Sequence, residues 1–381
     1  MNPESPTGIW QPQLSSVQCT YELREVLWWG TTWGQKPTQL IFGPECCDDL
    51  IIANTQREGI LHRRLGKMTV IAVAGGTGAL GKTFVERFAQ EPDIKLVILS
   101  RGEQKTSQGS IDHVKIDYDN VQSMTTELER HDVHTIISTI GLISEETSQS
   151  QLNLIEAAEN ATTTKRFIPS EYSFIQTPDL LSIDPSIQFW LHAAGRLKAS
   201  SLQYTRVIPG FFMDYWGMPH ARTHLQPFKF GIDITGAEAL IPGDGNDTIC
   251  MTYTYDLAEY MIHLLKLDEW PEFSIFVGDE TTYNEMLEIA KEVQTGKTWL
   301  IAYDSIEMID SGHVTVPDMS DSTMSQKELQ EMTALVSRLT VNGVFDLPKD
   351  NRMSDRFPQV RPMKVKKFLR QCWGPRPETK L

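Results

Sequence analysis

The chain has 381 residues, enough to bury a large core, and carries 50 acidic against 35 basic side chains for a net charge of −15. An acidic surface repels phosphate backbones and anionic headgroups, which argues against nucleic acid and membrane as direct partners. No apolar run approaches the ~20 residues that span a bilayer. The five cysteines, Cys19, Cys46, Cys47, Cys250 and Cys372, are odd in number, scattered and without Cys-x-x-Cys spacing, so they read as reduced thiols of a cytoplasmic protein.

In chain order, residues 1–67 come first, with Trp28, Trp29 and Trp33 among glycines and prolines and no sustained helical or strand period. Three readings stand: a disordered extension, a gene-model artefact upstream of a natural start at Met68, or an arm that covers a partner or active site. From Met68 the pattern is regular. Short apolar strands are expected at Thr69 to Ala74, Leu96 to Ser100, His113 to Ile116, Thr135 to Thr139, Arg166 to Pro169 and Thr205 to Pro209. Helices are expected near Ala79 to Gln90, Val121 to Arg130, Gln149 to Asn160 and Ser186 to Ser200. This alternation predicts an α/β fold with a doubly wound parallel sheet over 68–209.

The chemistry begins at Gly75-Gly76-Thr77-Gly78-Ala79-Leu80-Gly81, set between the first strand and the first helix. Glycines there allow positive φ, close approach to a pyrophosphate and tight strand–helix packing, while free N–H groups and the helix dipole face the phosphates. The second strand ends Ser100-Arg101-Gly102, with Lys105 beyond. A carboxylate at that place would select NAD, whereas Arg101 suits the 2′-phosphate of NADP(H). After the third strand, Asp117 could accept from the adenine amino group or cap a helix.

These segments, with Ile136-Ile137-Ser138-Thr139-Ile140-Gly141, Arg166-Phe167-Ile168-Pro169-Ser170-Glu171-Tyr172 and Gly210-Phe211-Phe212-Met213-Asp214-Tyr215-Trp216, stand in the order seen in the NmrA-like and isoflavone-reductase-like family. The chain resembles a fungal member of that family from about Met68 to near Trp373. The resemblance implies an NADPH-binding atypical short-chain reductase, with a dinucleotide-binding Rossmann domain over 68–209 and a smaller α/β substrate lobe over 210–381. It further implies that Thr139 and Gly141 line the cofactor and that Pro169, Ser170 and Glu171 border the nicotinamide. Family reductases use a lysine about seven residues before the position of Leu197 for proton transfer, and that place holds Trp190 here. Lys198 lies about 12 Å further along the helix. His192 is the nearest titratable group and, with Glu171, a weak candidate for acid–base work. No Tyr-x-x-x-Lys relay is present, since Tyr172 is followed by Gln176 and Tyr204 by Ile208.

His131 with His134 and His220 with His224 lack a third ligand in metal-binding spacing, so no metal is expected. Phe211, Phe212, Tyr215 and Trp216 read as core between the lobes, as the wall of a substrate pocket, or both. Further on, Gly243-Asp244-Gly245 is expected to turn, Asp256 to cap a helix over Leu257 to Leu265, and Thr281 with Glu285 to begin another. Met319 to Lys327 reads as a loop and Val365 to Trp373 as a final helix. The functional expectation is an NADPH-dependent reductase of a small aromatic or polyketide-like metabolite. Its alternatives are a non-catalytic NADP-binding redox sensor that contacts a transcription factor, and an isomerase.

Overall fold

The computed structural model describes residues 68–102, 111–319 and 324–374, all within one unit spanning Leu65–Leu381. The readings of residues 1–67 lie outside them. β1 (Thr69–Ala74) is apolar on both faces because both are covered. Alternation along the strand sends Ile71 and Val73 to one side, against Phe84 and Phe88 of α1 (Ala79–Phe88). Ala72 and Ala74 go to the other, against α2 (Val121–Arg130) and α3 (Glu145–Asn160). Around β1 run β2 (Ile94–Ser100), β3 (Ile111–Lys115), β4 (Thr135–Ser138), β5 (Arg166–Ile168) and β6 (Gln203–Tyr204), all parallel, in the order β3-β2-β1-β4-β5-β6. The order reverses between β1 and β4, and in such sheets ligands bind outside the carboxyl ends at that reversal.

Phe84 is fully buried, stacks on Phe88 at 5.5 Å and meets the Tyr172 ring edge-on at 5.4 Å. Phe84→Ala leaves a cavity at the centre of this face and is expected to cost about 3–5 kcal/mol. Urea titration with an unchanged slope checks it.

The sequence-derived boundaries hold with instructive exceptions. α3 starts at Glu145, four residues earlier than expected, because Ser144 and Thr147 form a reciprocal capping box ahead of the apolar period. α4 (Gln188–Lys198) follows two short 3₁₀ turns at Pro178–Ser182 and Pro185–Ile187. The strand expected over Thr205 to Pro209 is broken: β6 stops at Tyr204 and β7 (Arg206–Ile208) pairs with a later strand, β12 (Phe273–Ile275). The break is Thr205, buried, its hydroxyl 2.8 Å from that of Ser274 on β12.

The C-terminal part adds β8 (Phe211–Phe212), a short α5 (Asp214–Gly217), β9 (Ile232–Asp233), β10 (Glu238–Pro242) and β11 (Ile249–Thr252). α6 (Thr254–Leu265), β13 (Asp279–Thr281), α7 (Tyr283–Val293), β14 (Leu300–Asp304), α8 (Ile306–Ser311), α9 (Gln326–Val341) and α10 (Val365–Trp373) follow. β8 and β13 flank β11, while β9 and β14 flank β10. Asp256 does not cap α6. The cap position is Tyr253, and the Asp256 carboxylate instead accepts from the Met363 N–H at 2.6 Å. Thr282, one residue past the expected Thr281, caps α7 in a box with Glu285. Val365, Phe368 and Leu369 bury one stripe of α10.

α1 is stitched to the C-terminal part by its charged face. Glu86 accepts from the Tyr255 hydroxyl at 2.6 Å, lies 2.9 Å from His224 Nε2 and pairs with Arg222. Arg87 reaches Glu259 of α6 at 2.7 Å. The Tyr255 hydroxyl, then His224 and Arg222, hold the Glu86 carboxyl down at about 2, against an ordinary 4.5. A carboxyl lowered on folding stabilises above the unfolded value and loses that contribution as pH falls through the folded one. The urea midpoint is therefore expected to drop from pH 5 toward pH 2, with Glu86→Gln flattening that limb.

Candidate functional site

The glycine turn is shaped by contact with the end of β4. Gly75 has φ +76°, and a Cβ there would sit 2.8 Å from the Thr139 carbonyl oxygen. At Gly81 a Cβ would lie 2.3 Å from the Gly75 carbonyl oxygen. Both positions are therefore closed to any side chain. Gly78 is different: φ is −81°, the residue is exposed, and a Cβ would meet only the Gly75 carbonyl oxygen, at 3.2 Å. Gly78 occupies the N-cap position of α1 without a side-chain hydrogen bond, so the first-turn N–H groups of Ala79, Leu80 and Gly81 receive no cap from it. Thr77 sits half-buried between them. An uncapped helix start over an open glycine turn leaves its N–H groups and the positive end of the helix dipole free to meet an anion.

Around this turn the structure collects most of the residues singled out by sequence. Thr139 donates both its N–H and its hydroxyl to the Ala74 carbonyl, each at 2.8 Å, locking β4's exit to that of β1. Gly141, next along, is exposed with open space where a Cβ would be. Arg101 leaves the carboxyl end of β2, beside the Gly75 N–H that donates to Leu99, and is exposed, with Glu146 3.9 Å away as its ion-pair partner among the described residues. Lys105 lies outside the described residues. Asp117 is exposed beyond β3, and its carboxylate accepts from the Asp119 N–H at 3.0 Å. The cap of α2 is Asn120, not Asp117.

At the exits of β4 and β5, Pro169 and Ser170 face a tightly tied corner. The Ser170 N–H donates to Gln151 at 2.9 Å, and the Tyr172 hydroxyl donates to the Ser138 carbonyl at 2.9 Å. Ser138 Oγ and Gln151 Nε2 are buried there without a hydrogen-bond partner among the described residues. Glu171 is not a free carboxylate. It is buried in a two-pronged pair with Arg206, whose Nε donates at 2.5 Å and whose second nitrogen bridges to the other oxygen and to the Gln176 carbonyl at 3.1 Å. The Arg206 guanidinium also lies 4.6 Å over the Phe273 ring. Burial pushes the Glu171 carboxyl up, to about 7, against the pull of Arg206. His192 is exposed on α4, while Trp190 packs on the C-terminal core and Lys198 is exposed at the helix end.

A cavity of about 640 Å³ opens in the C-terminal part. Tyr215, Trp216, Phe228, Ile232, Ile234 and Trp373 supply its apolar wall, and Lys229 and Asp233, paired at 2.7 Å, its main charged pair. The aromatic run that begins with β8 thus serves two ends: Phe211, Phe212 and Trp216 are core, while Tyr215 and Trp216 also line the cavity. Tyr215 packs against the same apolar cluster as Leu80 of the first turn of α1 and Tyr172. A larger groove of about 890 Å³ runs along α7 and α10, and neither hollow is lined by a glycine-turn residue. Its carboxylates are engaged, Glu280 by Arg352 and Glu292 by Arg370.

A profile of the NmrA-like family matches residues 67–340. The chain belongs to the NmrA-like family. Oxidoreductase swnN of Metarhizium robertsii is 30% identical over 337 residues, covering 80% of this chain and 98% of that protein. Oxidoreductase BOA1 of Botryotinia fuckeliana is 32% identical over 234 residues, 61% of this chain and 78% of that one. Among solved structures, a leucoanthocyanidin reductase–NADPH complex from Vitis vinifera shares the fold, with a TM-score of 0.60 and 16% identity over 80% of this chain and 99% of that one.

What sequence reasoning missed in this NmrA-like chain is Arg206, the partner of Glu171. The two are 35 residues apart in the chain, and no local pattern links a strand arginine to a loop carboxylate. Gln151 was hidden likewise, since its side chain serves the Ser170 backbone across α3 and β5.

Proposed function

We propose that this chain binds NADP(H) across the β1–β4 reversal and reduces a small aromatic metabolite held in the aromatic cavity of the C-terminal part. The observation that carries the reading is the uncapped start of α1 over a glycine turn fixed against Thr139. The residues fit the nucleotide: first-turn N–H groups of α1 for the pyrophosphate, Arg101 for the 2′-phosphate, Asp117 beyond β3 for the adenine amino group, and the Thr139, Gly141, Pro169 and Ser170 exits for the nicotinamide. When bound, the cofactor supplies the hydride. The chain's own part is to hold and exclude: Thr139 and Tyr172 fix the two strand exits, and Tyr215 and Trp216 present apolar surface that favours a flat ligand over water. That swnN and BOA1 carry oxidoreductase names, and that a structural neighbour holds NADPH, supports the class of reaction.

A second reading has an observation of its own. Glu171 is engaged by Arg206, the Tyr172 hydroxyl by Ser138, and Trp190 stands where family reductases place their lysine. A nucleotide-binding redox sensor needs no proton donor. Calorimetry with NADPH, NADP⁺, NADH and NAD⁺ separates the readings: the reductase is expected to favour NADPH, the sensor the oxidised form. Arg101→Ala should cut the preference for NADPH over NADH about tenfold, the equivalent of roughly 1.4 kcal/mol. Unchanged selectivity would remove Arg101 from the 2′-phosphate site.

A further inference from the structure

Apolar exposure in this molecule is concentrated in one place. Of the eight large hydrophobic side chains exposed among the described residues, five lie between positions 300 and 308: Leu300 at 62%, Ile301 at 39%, Tyr303 at 49%, Ile306 at 47% and Met308 at 39%. They belong to β14 and the first turn of α8. β14 is a sheet edge, pairing with β10 on one side and with no other described strand. The Leu300 N–H donates to the Ala237 carbonyl and the Asp304 carbonyl accepts from Gly243, so the backbone of 300, 302 and 304 is turned inward and that of Ile301 and Tyr303 outward.

Exposed edges in soluble proteins are normally blunted by charge, proline or a bulge. β14 has none of these: from Thr298 to Ile306 the one charged residue is Asp304, which is 4% exposed and accepts from the N–H and hydroxyl of Thr315.

We propose that β14 is the interface of a homodimer, in which two copies pair edge to edge, antiparallel, about a two-fold axis at Ala302. The strand is self-complementary in that register. Ile301 of one copy falls opposite Tyr303 of the other, twice, and these are the two residues whose backbone groups point outward, so four main-chain hydrogen bonds close across the axis. Ile301 and Tyr303 share one face, giving two β-branched–aromatic cross-strand pairs. The flanks are opposite in charge: exposed Lys297, whose amine donates to the Thr235 carbonyl, precedes β14, and exposed Glu307 of α8 follows it, so an antiparallel copy sets opposite signs at each end of the pairing. A second copy is thus favoured over an unrelated strand, because the edge matches itself in hydrogen bonding, side-chain pairing and charge at once.

The test is sedimentation velocity of the full chain over a range of micromolar concentrations. Wild type is expected to run at twice the chain mass, and Ile301→Lys/Tyr303→Lys at the chain mass with an unchanged circular dichroism spectrum. Ala302→Cys gives a second, independent readout: in this register residue 302 faces its own counterpart, so mild oxidation should yield a 302–302 linked peptide by mass spectrometry, even if the double lysine variant does not fold. A wild-type monomer at all concentrations would overturn the proposal and leave the edge to a strand of another protein. A dimer that survives the double substitution, or an Ala302→Cys dimer that does not cross-link through the introduced thiol, would overturn it equally.

Discussion

Gly78→Val is expected to abolish NADPH binding, weakening it at least a hundredfold by calorimetry, while leaving the urea midpoint within about 1 kcal/mol of wild type. The two halves of that result have separate causes. Gly78 has an extended backbone, φ −81° and ψ −178°, that any residue adopts, and the one atom near its absent Cβ is the Gly75 carbonyl oxygen at 3.2 Å. Folding asks that oxygen to give by a few tenths of an ångström, a small demand that fits the modest cost expected. Its neighbours are opposite cases, since a side chain at Gly75 or Gly81 collides with backbone at 2.8 and 2.3 Å. What does demand a bare backbone at Gly78 is a ligand that comes close to the start of α1, as a pyrophosphate does. A valine that folds and still binds would refute the placement of the nucleotide; one that unfolds would show that Gly78 serves packing instead.

The second large effect is expected at Arg206→Met. Both members of the Arg206–Glu171 pair are buried, at 5% and 2% exposure. Removing the guanidinium leaves a carboxylate with no countercharge in a low-dielectric site, which typically costs about 3–5 kcal/mol. Burial then acts on Glu171 against the Gln176 backbone hydrogen bond alone, raising its folded carboxyl further above its unfolded value. A raised carboxyl stabilises below the unfolded value and loses that contribution as pH rises through the folded one. Arg206→Met should accordingly be least stable above pH 7 and recover toward pH 5, and Glu171→Gln/Arg206→Met should recover much of the loss at neutral pH. Denaturant midpoints of the two variants at pH 5 and pH 8 check this. If Arg206→Met costs less than 1 kcal/mol at pH 8, the pair is not holding the β5 exit.

Where the sequence was legible, the cause is local. α2 and α10 begin and end where their apolar periods do, and β1 is bounded by the glycine turn that follows it. The Rossmann order follows from strand–helix alternation, because parallel neighbours need a covering crossover. Errors cluster where side chains override local pattern: Ser144 starts α3 early through its capping box, and Asp256 serves the Met363 backbone rather than its own helix. The site divides the same way. The glycine turn and the strand exits are contiguous motifs, whereas the aromatic cavity draws on segments near 216, 230, 319 and 373, and its existence is a property of packing. Glu171 carries the sharpest lesson, because a carboxylate in a motif says nothing of the distant arginine that occupies it.

The break at Thr205 bears on how this molecule can be divided. After it, β7 leaves its neighbours in the main sheet and takes β12, 67 residues later in the register of Arg206 with Phe273, as its partner. β7 is thus covered by a strand encoded far downstream, in a two-stranded sheet separate from the main one. A chain ended after Pro209 would lay bare the buried Val207 and Ile208, and a graft of a foreign C-terminal part would have to bring its own equivalent of Phe273–Ile275 to seal them.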